Sequence, residues 1–114
     1  MFMKFLKNNK WLIGIILLSI LPMAQMFTTT ALPHTSDGAM HLARTASYYK
    51  EVMRGQFPVR WAGDLNYGFG TPIFNFFHPL PYMITTVMVA LGASLTGALK
   101  LSFLLSFLGS GIGM

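Results

Sequence analysis

Residues 11–27 read WLIGIILLSILPMAQMF, seventeen positions without a charge, relieved only by Gly14, Ser19, Pro22 and Gln25. Lys4, Lys7 and Lys10 stand just ahead of them. Wound as a helix, the stretch is roughly 25 Å long, slightly short of a bilayer core of about 30 Å. Snorkelling lysines and local thinning close such a gap. A cleaved signal peptide shares the basic start and apolar middle, but its core runs about 7–15 residues and ends in a small-x-small site. This run is longer, and Thr30-Ala31-Leu32 matches such a site poorly. An uncleaved first span is therefore expected, with the three lysines holding the N-terminus in the cytoplasm.

The rest of the composition agrees. Of 114 residues, 54% are hydrophobic and 10% charged, against about 25% charged in soluble domains. Mean hydropathy is +0.56. Despite a net charge of +5, no charge-rich face is available for tracking phosphates, which argues against a nucleic-acid partner. The apolar mass excludes a disordered tail. With no cysteine, a disulfide scaffold and a thiolate metal site are excluded too. The expected class is all-α: an integral membrane protein, seen as a fragment of a helical transmembrane bundle in contact with membrane lipids.

Residues 28–78 are a different phase. They hold all three acids, all three histidines and four of the eight basic residues. This segment is expected to form an extracytoplasmic loop with structure of its own. Ser36 or Asp37 is expected to cap a helix over about 37–54, its side-chain oxygen accepting an orphan backbone N–H. Gly55 and Pro58 stop that helix. Helical spacing puts Ala39, Leu42, Ala43, Ala46, Tyr49, Val52 and Met53 on an apolar side. Asp37, His41, Arg44, Tyr48 and Glu51 form a polar stripe. Such an amphipathic helix suits the membrane surface or the flank of a bundle. From Gly55 to Pro81, glycines, prolines and aromatic residues spell a fixed irregular loop.

A second span is expected over 79–95, with Pro81 in its first turn. Residues 96–100 would be a cytoplasmic turn marked by Lys100. The apolar run 101–114 is roughly 21 Å of helix, too short to cross. The chain is thus expected to stop inside a third span, as the N-terminal piece of a larger protein that continues past Met114.

Chemistry is sparse. Asp37 and His41, four apart, share a helix face. A carboxylate there could serve as a general base or help hold a divalent cation. Equally, Asp37 is only a cap and His41 a surface residue. Two ligands fall short of a closed metal site. Arg44, Arg54 and Arg60 have the forked geometry that grips phosphate. The plainer alternative is an exposed Glu51–Arg54 salt bridge with attraction to lipid headgroups. Arg60 beside Trp61 could seat a lipid chain or a sugar, or belong to an aromatic belt. His34 and His78 lack partner spacing. Gly68-Phe69-Gly70 lacks the third glycine of a nucleotide fingerprint, and no Gly-x-Ser-x-Gly or His-Glu-x-x-His pattern occurs.

Four motifs occur in order between Asp37 and Tyr82. They are Asp37-Gly38-Ala39-Met40-His41-Leu42, Gly55-Gln56-Phe57-Pro58-Val59-Arg60-Trp61, Tyr67-Gly68-Phe69-Gly70-Thr71-Pro72-Ile73-Phe74 and Phe77-His78-Pro79-Leu80-Pro81-Tyr82. This order resembles the N-terminal part of the 6-pyruvoyl-tetrahydropterin synthase-related, or YfhO-like, polytopic membrane proteins of bacteria and archaea. These are similar to the GT-C glycosyltransferases. The resemblance implies a multi-span enzyme of the cytoplasmic membrane that uses a polyprenyl-phosphate sugar. It implies Asp37 as the acid of the first outer loop, acting as base or metal ligand. His41, Arg44, Arg60 and Trp61 would bind substrate. Better-known members often carry two neighbouring acids, whereas Asp37 is followed by Gly38, so the resemblance defines no metal set here. The alternative to a transferase is a non-enzymatic membrane protein, a scaffold or a lipid or polymer transport component.

Overall fold

A computed structural model describes residues 9–113 of the chain. Lys4, Lys7 and Met114 lie outside the described residues, as do the expectations that rest on them. The described residues are all helical apart from loops and one isolated backbone bridge.

Helix α1 covers Lys10–Phe27 and α4 covers Leu95–Gly113; both are long and apolar enough to cross a membrane. Within α1, Pro22 has no N–H to give, and the helix tightens to a 3₁₀ turn at Leu21–Met23 before resuming. Between the two lie α2, Gly38–Met53, and α3, Leu80–Ala90. Pro81 stands in the first turn of α3, where its missing N–H costs nothing. The segmentation nevertheless differs from the sequence expectation. The apolar stretch 79–95 yields a helix of 11 residues, roughly 16 Å long. The last helix starts at Leu95, six residues before the run that was expected to form it.

Helix α4 packs against α1, α2 and α3, and so organises the molecule. It runs antiparallel to α1. Near one end, a Cβ on Gly111 would come within 2.8 Å of both Ile15 Cγ2 and Ser19 Oγ, so only glycine lets the two backbones approach there. At the other end Lys100, 4% exposed, donates its ammonium hydrogen to the Thr29 carbonyl. Lys100 therefore sits beside the exit of α1, not beside Lys10 at its entry. Buried positions on these helices are mostly small or hydroxylated: Ser19, Thr85, Thr86, Ala98 and Ser102. That composition lets apolar helices pack closely without a hydrophobic drive.

The main apolar core lies in the connecting segment. Tyr48, Val59, Ala62, Phe74 and Tyr82 are buried together. Tyr48 meets Phe74 edge-on at 4.9 Å and stacks with Tyr82 at 6.0 Å. Such aromatic pairs add about 0.5–1.5 kcal/mol each beyond the area they bury. Gly55, at φ +93, ends α2 in the left-handed conformation. A single bridge then ties Ala62 to Thr71 through paired backbone hydrogen bonds of 2.8 and 3.1 Å.

Burial along helix α2 does not divide along its two sequence stripes. Its buried residues are Thr45, Ser47, Tyr48 and Glu51. Tyr48 and Glu51 of the polar stripe are buried and Val52 of the apolar side packs beside the core, while Asp37 is exposed and Met53 of the apolar side is 64% exposed. Buried Glu51 finds partners in Arg54, Gln56 and Gly63, whereas Arg44 Nε and Ser47 Oγ are buried without one. Burial raises the Tyr48 phenol above its ordinary 10.0, with the Val59 backbone opposing in part. The unfolded phenol ionises first, so stability is whole below about pH 10 and falls as pH climbs towards the folded value. Tyr48→Phe is expected to abolish that alkaline loss, measured by unfolding at about pH 9 and about pH 11.

Candidate functional site

Asp37 occupies the N-cap position of α2, yet its side chain makes no hydrogen bond to the helix. The expected capping oxygen, from Ser36 or Asp37, is therefore not used; the Asp37 backbone carbonyl accepts the His41 N–H, the ordinary first bond of the helix. Gly38 explains part of the geometry. A Cβ there would meet Thr35 Oγ1 at 2.6 Å, so the turn closes tightly only on glycine. The Asp37 carboxylate is left free of the cap.

Asp37 and His41 line a cavity of about 490 Å³. Its other walls are largely apolar: Met23 and Met26 of α1, Leu32 and Pro33 of the connector, and Leu99, Phe103 and Phe107 of α4. A second, smaller cavity of about 200 Å³ opens between α2, α3 and α4. His41, Leu99 and Phe103 line both cavities and so form the wall between them. The His41 ring stands edge-on to Phe103, and its Nδ1 is 3.5 Å from the Tyr82 hydroxyl. His78, which had no partner in the sequence, lines the second cavity.

The remaining candidates lie apart from Asp37. Arg44 lays its guanidinium over the Phe77 ring at 4.3 Å, a cation–π contact, and leaves its Nε buried without a partner. Arg60 and Trp61 line neither cavity. Their backbone is held within the loop just past α2: the Gln56 side-chain oxygen accepts the Arg60 and Trp61 N–H groups at 2.7 and 2.9 Å. The Trp61 indole lies against Gly70, where a Cβ would overlap it and where φ is +77. Trp61 is 48% exposed.

Glu51 proves more important than its pairing with Arg54 implied. Its side chain is 8% exposed. One oxygen accepts from Arg54 Nη1 at 2.8 Å and from the Gly63 N–H at 3.3 Å. The other accepts from Gln56 Nε2 at 3.4 Å. The pair expected on the surface is thus an internal clasp for the loop that carries Arg60 and Trp61. Outside it, Asp64 pairs with Lys50 at 2.6 Å, and that hydrogen bond holds its carboxyl below the usual range.

Among the described residues, no three His, Asp or Glu side chains gather to hold a metal ion. Comparison with protein families, curated proteins and solved structures finds no match. The class that the fold itself defines is an all-helical chain with two helices of membrane-crossing length and apolarity.

Proposed function

We propose that the chain is the N-terminal part of a GT-C-like membrane glycosyltransferase. It would move a sugar from a polyprenyl-phosphate donor to an acceptor hydroxyl at the outer face of a bacterial or archaeal cytoplasmic membrane. One juxtaposition supports this most. Asp37, unspent on its own helix, lines a cavity walled largely by apolar side chains, among them Met23, Met26, Leu99, Phe103 and Phe107 of two bilayer-length helices. Transfer from a lipid-borne donor needs that pairing of an apolar seat for the chain with a base beside it.

In the proposed step, the acceptor oxygen bonds to the anomeric carbon as the bond from that carbon to the phosphate oxygen breaks. The lipid phosphate leaves with the bonding electrons, and Asp37 takes the acceptor proton. His41, on the same wall, donates to a phosphate oxygen. Arg60 and Trp61 act at the lipid interface rather than inside either cavity. Asp37→Asn, made in the protein encoded by the whole gene, is expected to lower transfer by at least about a hundredfold. Transfer at the parental rate would remove Asp37 from the mechanism and favour a non-enzymatic membrane component.

The proposal includes a topology. Helices α1 and α4 are antiparallel spans, and residues 28–94, α3 included, lie together on the outer side. The Lys100–Thr29 bond at one end and the Gly111 approach at the other support it.

A further inference from the structure

Charge divides the connector between the two long helices. Its acids, lysines and arginines all lie between Asp37 and Asp64, and residues 65–99 carry none. The uncharged part is nevertheless poorly covered by the protein. The 3₁₀ turn Ile73–Asn75 sends Phe74 into the core, while Phe76 just beyond it is 81% exposed. Phe77, which carries the Arg44 guanidinium on its ring, and Leu80 at the start of α3 are exposed beside it. Large apolar side chains left bare together mark a surface that meets something other than water.

The register of α4 gives the height of this surface. Lys100 is bonded to Thr29 and so marks the level at which α1 ends. Ser106 lies six residues further along α4, roughly 9 Å towards the middle of the two spans. Helices α3 and α4 are joined only by residues 91–94 and pack on one another, so α3 runs back alongside α4. The lining between them agrees: Thr85 and Ser102 belong to it, and Pro81 and Ser106, each four residues further from the join. The first turn of α3 therefore lies roughly 9 Å deeper than the end of α1, and its last turn, roughly 16 Å away, lies on the other side of that level.

We infer that α3 stands half immersed in the outer leaflet, with Phe76, Phe77 and Leu80 as a foot against lipid at the boundary of headgroups and acyl chains. The inference rests on the proposed topology and refines it, since α3 dips into the leaflet without crossing. Interfacial helices bury their apolar side about 5–10 Å into that boundary, and aromatic rings are enriched there. Arg44, seated on Phe77, is long enough to keep its charge near the headgroups by snorkelling. A foot at this depth holds the larger cavity, whose α4 wall runs from Leu99 to Phe107, level with the outer leaflet.

The test measures depth on this chain in lipid nanodiscs, with nitroxide labels on Leu80→Cys and Leu91→Cys read by power-saturation electron paramagnetic resonance. Both leucines are bare of protein, 62% and 83% exposed, so only the bilayer distinguishes them. The Leu80 label is expected to be at least about fivefold less accessible than the Leu91 label to a water-soluble nickel chelate, and more accessible to oxygen. Phe76→Cys is expected to match Leu80→Cys, which guards against one variant that misfolds. Equal access of the chelate to Leu80 and Leu91 would overturn the inference and leave the two-span topology standing. Equal shielding of both would also overturn it, placing α3 wholly inside the bilayer. Neither a sugar nor Asp37 enters the measurement, so the proposed transfer stands or falls separately, on Asp37→Asn.

Discussion

Glu51→Ala is expected to destabilise the segment from Gly55 to Thr71 by about 3 kcal/mol. The Glu51 carboxylate receives hydrogen bonds from Arg54, Gly63 and Gln56, two of them from the loop. Hydrogen bonds to a charged group contribute about 1.5–3 kcal/mol each, and removing one partner of a buried pair costs about 3–5 kcal/mol. The lower end applies because the Arg54 side chain is 51% exposed and regains water when the acid is lost. The loss also reaches Arg60 and Trp61, since Gln56 holds both backbones while Glu51 accepts from its amide. Chemical unfolding in detergent, followed by near-ultraviolet circular dichroism, measures it. Arg54→Met is the control and is expected to cost less than about 1 kcal/mol, as for an exposed charge. Equal losses for the two variants would show that the acid holds the loop no better than its exposed partner does.

How much of this is legible in the sequence depends on the range of the forces involved. Local signals read through well. The first apolar run, the stop at Gly55 and the first-turn place of Pro81 all depend on neighbours within one helical turn. The orientation of α2 did not read through. Its apolar and polar stripes are clear, but which residues are buried is set by contacts distant in the sequence. Here the Tyr48 ring packs on Phe74 and Tyr82, and Glu51 accepts from Gln56 and Gly63, all from later in the chain. The same distance explains His78, which acquires His41 and Tyr82 as cavity neighbours only when α3 packs on α2. Asp37 was legible as a singular acid. That its carboxylate would be left off the helix cap was not, because a cap and a free carboxylate have the same sequence.

Single-cysteine labelling is expected to put Thr30→Cys and Ser94→Cys on the same side of the membrane and Asn9→Cys on the other. The chain has no native cysteine, so each variant carries one thiol. Hydropathy alone favours the opposite outcome for Ser94, with a span over 79–95 returning the chain to the side of Lys10. Helix length opposes that outcome: α3 has 11 residues, roughly 16 Å against a core of about 30 Å. Packing opposes it more strongly. Lys100 is bonded to Thr29, and Gly111 abuts Ile15 and Ser19, which fixes α4 antiparallel to α1 along most of its length. Two antiparallel spans leave their connector wholly on one side, whatever helices it contains. A membrane-impermeant maleimide added to oriented vesicles should therefore label Thr30→Cys and Ser94→Cys together. Labelling of Ser94→Cys only with Asn9→Cys would mean that α3 crosses, and Asp37 and the α3–α4 turn would then face opposite compartments.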